Sequence, residues 1–89
     1  MIEAKEAVQI AKQRAADMLG QNTFSLEEIE REPYRDREVW GITLGFPRDP
    51  NQLTAIARFV ADPIQYKRFL IDVETGDLVA MRLREPASR

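Results

Sequence analysis

The sequence of 89 residues contains neither cysteine nor histidine. These two absences remove disulfides, thiolate zinc sites, the commonest general base and the strongest nucleophile. The two serines, Ser25 and Ser88, lie in no nucleophile-elbow pattern. An enzyme would have to use carboxylates, lysine or tyrosine, so we expect a protein without catalytic activity, metal ion or cofactor.

Long apolar runs are also missing, and no stretch approaches the roughly 20 residues that cross a bilayer. The first 20 residues carry charges throughout, where a signal peptide would have an apolar stretch. The formal net charge of −2 lacks the basic excess of nucleic-acid-binding proteins. We therefore expect one cytoplasmic domain, residues 1–89, that binds neither nucleic acid nor a membrane.

What the chain does contain is periodic hydrophobicity. Residues 2–19 predict an amphipathic helix ending at Gly20, with an alanine-rich apolar stripe of Ala4, Val8, Ala11, Ala15 and Leu19. The stretch FSLEEIEREPYRDREVWGITLGF predicts two strands. In the second strand, large residues facing the core alternate with small ones: Trp40, Ile42, Leu44 and Phe46 against Val39, Gly41, Thr43 and Gly45.

The first of these strands is irregular, because Phe24 and Leu26 are out of phase with Ile29. Either a β-bulge shifts the phase or Ser25–Glu28 begins a helical turn, and we favour the bulged strand. The acidic run LEEIERE within it is expected to be solvated surface. For residues 49–62 the sequence leaves two alternatives: a helical excursion with Asp49 as N-cap, or an extra strand.

The stretch QYKRFLIDVETGDLVAMRLRE predicts a hairpin, with Gly76 at the position of a three-residue loop that needs positive φ. The same acidic turn could be taken for a calcium loop, but it lacks the length and the distal glutamate, so we expect no metal there. The loop sets the predicted register, which pairs Val73 with Asp77, Ile71 with Val79, Phe69 with Met81, Leu70 with Ala80, Arg68 with Arg82, and Tyr66 with Arg84.

The hairpin places arginines on the face away from the helix. Arg68 opposite Arg82 costs stability, which solvent, a carboxylate such as Glu38 or Glu85, or an anionic partner would offset. We expect both heads to be solvated. The candidate partner-binding surface consists of Tyr66, Arg68, Arg82, Arg84, Gly41, Thr43 and Gly45. Its expected partner is a protein with an acidic surface or, through Glu27–Glu38 of a second copy, the same protein in a weak homodimer.

Three segments of the chain resemble a known family: the helix EAVQIAKQRA, the strand VWGITLGF and the hairpin FLIDVETGDLVAM. Together they resemble PepSY-like domains and are similar to a group of small bacterial immunity proteins with the same helix-then-meander layout. The first resemblance implies a non-catalytic inhibitory or interaction module, usually exported or membrane-attached. The second implies a cytoplasmic protein that binds a toxin domain. Neither implies catalytic residues.

These observations predict an α+β fold in which an N-terminal helix packs on a four-stranded antiparallel meander sheet. We expect the core to contain Val8, Ala11, Leu19, Trp40, Ile42, Leu44, Phe69, Ile71, Val79 and Met81. The predicted function is that of a small protein-interaction module, inhibitor-like or immunity-like, acting through an exposed sheet face. The alternative is a small-ligand-binding or carboxylate-dependent protein with a pocket between the sheet and residues 49–62.

Overall fold

A computed structural model of the chain describes residues 1–20, 23–47 and 64–84. One helix and four strands follow in chain order: α1 (Ala4–Leu19), β1 (Ser25–Tyr34), β2 (Arg37–Pro47), β3 (Ile64–Asp72) and β4 (Leu78–Arg84). The strands form one antiparallel sheet in the order β1-β2-β3-β4, and α1 packs against one of its faces. The predicted α+β meander is confirmed. The alternatives for residues 49–62 fall on residues outside those described.

The helix lies close to the sheet because its buried side is built of small residues, namely Ala7, Val8, Ala11 and Ala15. It ends as predicted at Gly20, which adopts the left-handed conformation with φ 67° and donates its N–H to the carbonyl of Ala16 at 3.1 Å. It begins at Ala4 and not at residue 2, because the N–H of Ile2 donates to the carbonyl of Val73 at 2.7 Å. The N-terminal residues are thereby tied to the turn after β3.

The core lies between α1 and the facing side of the sheet. Its buried members on the strands are Ile42, Leu44, Phe46, Phe69 and Ile71. Three further predicted core residues, Leu19, Trp40 and Met81, are partly buried and pack against its margin. Trp40 also donates its Nε1–H to the carbonyl of Ile2 at 3.1 Å, so its polar atom has a partner.

Strand β1 contains the predicted bulge, since the register with β2 shifts between Leu26 and Glu28. Leu26 pairs with Leu44 and Glu28 with Thr43, so Glu27 is the extra residue. The shift returns Ile29 to the helix side of the sheet. It also sends Glu28, Glu30 and Glu32 to the opposite side, which we call the far face.

The β3–β4 hairpin corrects part of the predicted register. The pairs from Leu70–Ala80 to Tyr66–Arg84 are confirmed, but Ile71 pairs with Leu78 and not with Val79. Val79 is therefore a bulge, and the core position predicted for it is taken by Leu78.

The cause of this change is the turn before β4. Asp72 closes the turn, donating its N–H to Asp77 O and accepting the N–H of Gly76, both at 2.8 Å. Gly76 has the predicted positive φ, 80°. Val73 cannot pair with Asp77 as predicted, because its N–H donates to the Glu38 carbonyl at 3.1 Å and its carbonyl is held by Ile2. The loop is one residue longer as a result.

Candidate functional site

The far face carries a buried arginine. Arg68 extends from β3 with its side chain only 7% exposed. Its Nη2 lies 2.6 Å from Glu30 Oε1, its Nε donates to Glu32 Oε2 at 3.0 Å, and its Nη1 lies 3.3 Å from Glu28 Oε1. Its Nη1 also donates to Thr43 Oγ1 at 2.9 Å. We call these five residues the Arg68 cluster.

The cluster spans three strands, because Arg68 is on β3, the glutamates are on β1, and β2 lies between them. The guanidinium crosses β2 at Gly41, where an added Cβ would overlap both Arg68 Nη2 and Glu32 Oε2. Thr43, the next far-face residue of β2, donates to Glu28 Oε1 at 2.9 Å while it accepts from Arg68. The small residues of β2 therefore provide the passage through which the chain's own arginine reaches its partners.

The prediction that the Arg68 head is solvated is therefore wrong. The offsetting carboxylates are not those predicted, since Glu38 pairs with Arg31 at 3.1 Å and Glu85 lies outside the described residues. The acidic run of β1, expected to be solvated, supplies them, with side chains between 29% and 61% exposed. Only the strand registers lead to these partners, because the β1–β2 register after the bulge puts Glu28 beside Thr43 and the β2–β3 register puts Thr43 beside Arg68.

The second arginine of the predicted pair has a different environment. Arg82 is exposed, and its Cζ lies 5.2 Å from the centroid of the Tyr34 ring. Arg35 lies at the same distance from that ring. Tyr34 and Arg82 belong to opposite edge strands, roughly 14 Å apart across a flat sheet. Sheet twist raises diagonally opposite corners toward each other, so the contact crosses the far face above the central strands. Val39 and Leu70, on that face, are fully buried.

Arg35 and Arg82 differ from Arg68 in how their charges are balanced. Within the described ranges, neither Arg35 nor Arg82 has a carboxylate at salt-bridge distance. Arg35 is also strained: its φ of 58° makes it the one non-glycine residue with positive φ in the part of the chain that the structure describes. It occupies the two-residue turn between β1 and β2, where glycine, asparagine or aspartate is usual.

The structure brings only part of the predicted partner-binding surface to solvent. Gly41, Thr43, Gly45 and Arg68 are all buried. Tyr66 is half-buried and pairs with Gly45 on one side and with Arg84, the last residue of β4, on the other. Arg82 is exposed. Sequence reasoning missed Tyr34, which sheet twist brings to Arg82, and its neighbour Arg35, which lies over the same ring.

The turn that was compared with a calcium loop is stabilised by its own backbone. The Asp72 Oδ1 atom accepts the N–H groups of Glu74 at 2.7 Å and Thr75 at 3.1 Å, and Arg37 Nη1 donates to its Oδ2 at 2.7 Å. These backbone hydrogen bonds, with the Arg37 charge, lower the pKa of the Asp72 carboxyl below its ordinary value. This carboxylate therefore has a structural partner for each oxygen.

A shallow groove of about 530 Å³ lies beside β4, lined by the apolar residues Met18, Leu78 and Val79 and by the charged residues Arg14, Arg37 and Asp77. The pocket of the alternative function involves residues 49–62, which lie outside the described residues.

The one helix among the described residues, α1, lacks the length and the apolar character of a membrane-spanning helix.

Comparison of the chain with protein-family models, curated proteins and solved structures finds no match. The resemblance to PepSY-like domains and to small immunity proteins therefore stays an expectation from sequence.

Proposed function

We propose that the protein is a non-catalytic interaction module of the cytoplasm that binds an acidic segment of a partner protein. Arg82 is the residue that contacts the partner's carboxylate. The observation that carries the proposal is the contrast between two arginines directly opposite each other in the sheet. Arg68 is buried among three glutamates, whereas Arg82 is exposed and has no carboxylate among the described residues.

The Tyr34 ring supports this role by holding the Arg82 guanidinium at the surface. A guanidinium over an aromatic face gains roughly 0.5–1 kcal/mol at an exposed site and loses side-chain freedom before a partner arrives. Its N–H groups point along the guanidinium plane and stay available to a carboxylate, which they bind in bidentate geometry. Arginine and tyrosine are also the side chains that interfaces favour.

The partner is a different protein and not a second copy bound through Glu27–Glu38. Three carboxylates of that segment, those of Glu28, Glu30 and Glu32, are held by Arg68 of the same chain. The charge complementarity that the sequence indicated between copies is thus satisfied within one chain. Both families that the sequence resembles imply a non-catalytic role, which supports this proposal.

Fluorescence anisotropy tests the proposal with a labelled, acetylated octapeptide of alternating glutamate and valine. We expect saturable binding that weakens as salt is raised, and a loss of about tenfold in affinity, roughly 1.4 kcal/mol, for Arg82→Glu. Lys5→Glu, an equal charge change on the exposed side of α1, is the matched control. Equal affinities for the wild type and Arg82→Glu would refute the proposal.

A further inference from the structure

We propose that the partner's acidic segment binds as a fifth strand, along the outer edge of β4. This inference rests on the proposed function and names the form in which the partner is recognised. An extended segment would pair its backbone with β4 and place alternate side chains on the two faces of the sheet.

The two edges of the sheet are not equally open to a new strand. Strand β1 is interrupted by the bulge at Glu27 and by Pro33, which has no N–H to donate, and both features protect a sheet edge. Strand β4 has its bulge near its start, at Val79, and then runs regularly over Ala80–Arg84. Within residues 1–20, 23–47 and 64–84, no strand pairs with the outer side of β4. Among the described residues, this edge has backbone groups without a strand partner over about five residues.

The helix side of β4 is apolar and incompletely covered. Helix α1 packs mainly on the two central strands and β1. Leu83 of β4 is 58% exposed, and Leu78 and Met81 are half-buried at the margin of the core. Met18 of α1, 55% exposed, lines the groove beside Leu78 and Val79. Apolar residues on the helix side of an added strand would cover this surface.

On the far face of β4, the positive charge of Arg82 favours acidic side chains in the added strand. A far-face residue opposite Arg82 would lie about one strand spacing, roughly 4.8 Å, from the Arg82 backbone, and a glutamate there would have to extend inward over β4 to meet the guanidinium beside the Tyr34 ring. The chain contains an example of this solution, since β1 places Glu28 and Glu30 on the far face and Ile29 on the helix side, and its glutamates neutralise Arg68. An added strand with acidic and apolar residues in alternation would do the same for Arg82.

The same charge argues against a second copy of the chain as the added strand. Two β4 strands paired edge to edge would bring their Arg82 side chains onto one face, where like charges repel. The β1 strand of another copy has the acidic and apolar pattern, but its carboxylates are bound to Arg68 and its edge is limited by Pro33. The occupant that fits is an acidic, extended segment of another protein.

Amide hydrogen exchange of the full chain, measured by NMR with the alternating glutamate–valine octapeptide, tests the mode of binding. At a peptide concentration ten times its Kd, alternate amides of Ala80–Arg84 should exchange about tenfold more slowly. A peptide methylated at alternate backbone nitrogens keeps its side chains but should bind at least tenfold more weakly. A block peptide of four glutamates followed by four valines should give no protection of β4.

Protein variants complete the test. Leu83→Lys should weaken binding of the octapeptide about tenfold, whereas Leu26→Lys, a similarly exposed apolar residue on the helix side of β1, should not. Arg35→Glu should matter less than Arg82→Glu. If binding depended equally on Arg82 and Arg35 and the β4 amides were not protected from exchange, the partner would lie across the far face. That result would overturn strand addition but leave the proposed function intact. Binding that is indifferent to Arg82 would overturn the proposed function itself. Dimerisation in ultracentrifugation that Leu83→Lys abolishes would make a second copy the occupant and overturn this inference.

Discussion

The guanidinium of Arg68 occupies the space in which residue 41 would carry a Cβ atom. A Cβ built on Gly41 would lie 2.6 Å from Arg68 Cζ and 2.6 Å from Glu32 Oε2, closer than any real contact allows. Gly41 is therefore the residue of β2 that lets an arginine of β3 reach the glutamates of β1. This single relationship turns a patch that would attract an acidic partner into an internal link between strands.

Gly41→Ala should destabilise the protein, because the buried guanidinium would have to move away from its carboxylates. We expect a loss of about 1–3 kcal/mol in the free energy of unfolding, measured by urea denaturation. Gly45→Ala is the matched control on the same face of β2. There the nearest atoms lie at 3.1–3.2 Å, farther than the 2.6 Å contacts at Gly41, so the loss should be smaller. Equal losses at the two positions would contradict the role given to Gly41.

Charge reversal should affect the two opposed arginines differently. Arg68→Glu would leave four carboxylates around Thr43 and should cost at least about 3 kcal/mol, a large part of the stability of a small domain. Arg82→Glu changes an exposed side chain and should cost less than about 1 kcal/mol. Thermal unfolding followed by circular dichroism measures both variants. If both stay folded with similar melting temperatures, Arg68 is not structural.

The contact between Tyr34 and its two arginines should be retained by a phenyl ring and lost with an aliphatic one. Tyr34→Phe keeps the aromatic face and should leave both stability and octapeptide affinity close to those of the wild type. Tyr34→Leu should lower the free energy of unfolding by roughly 1 kcal/mol and weaken octapeptide binding, because Arg82 is no longer held. Calorimetric titration of the three proteins decides this. If Tyr34→Phe and Tyr34→Leu had the same stability and the same octapeptide affinity, the aromatic ring would not be what holds Arg82.

Acid should weaken the turn before β4. The pKa of Asp72 is lowered in the folded protein, first by the N–H groups of Glu74 and Thr75, so its carboxylate contributes stability above the unfolded-state pKa, about 3.9. This contribution is lost as the pH falls through the lower, folded-state pKa. Asp72→Asn should therefore lose less stability than the wild type between pH 5 and pH 2 in urea titrations. Asp77→Asn, on the same turn but exposed, should follow the wild type.

The fold was predictable because each element has a strong local signal. The 3.6-residue period of α1, the alternation in β2 and the turn at Gly76 gave the α+β meander. The turn's exact closure was not predictable, because Val73 is held by Glu38 and Ile2, which are distant in sequence. The start of α1 differs for the same reason. Local propensity cannot anticipate a backbone hydrogen bond made by tertiary packing.

The site was predictable in its chemistry but not in its pairing. The sequence indicated that the charge of Arg68 opposite Arg82 has to be offset, by solvent, a carboxylate or a partner, and that Gly41 leaves space on the far face. It did not indicate that the space is filled by Arg68 itself, because that requires following the β1 bulge into the register of two further strands. The contact between Tyr34 and Arg82 depends on the twist of the whole sheet and has no local signal.

A double-mutant cycle between Arg68 and Glu32 tests whether the charge of Arg68 is neutralised within the chain, which is what leaves Arg82 for a partner. The free energy of unfolding is measured for the wild type, Arg68→Met, Glu32→Gln and the double variant. We expect a coupling energy of about 1–3 kcal/mol, because removing either partner leaves the other uncompensated. Single effects that add to within about 0.3 kcal/mol would mean that the two side chains do not interact, and would contradict the account.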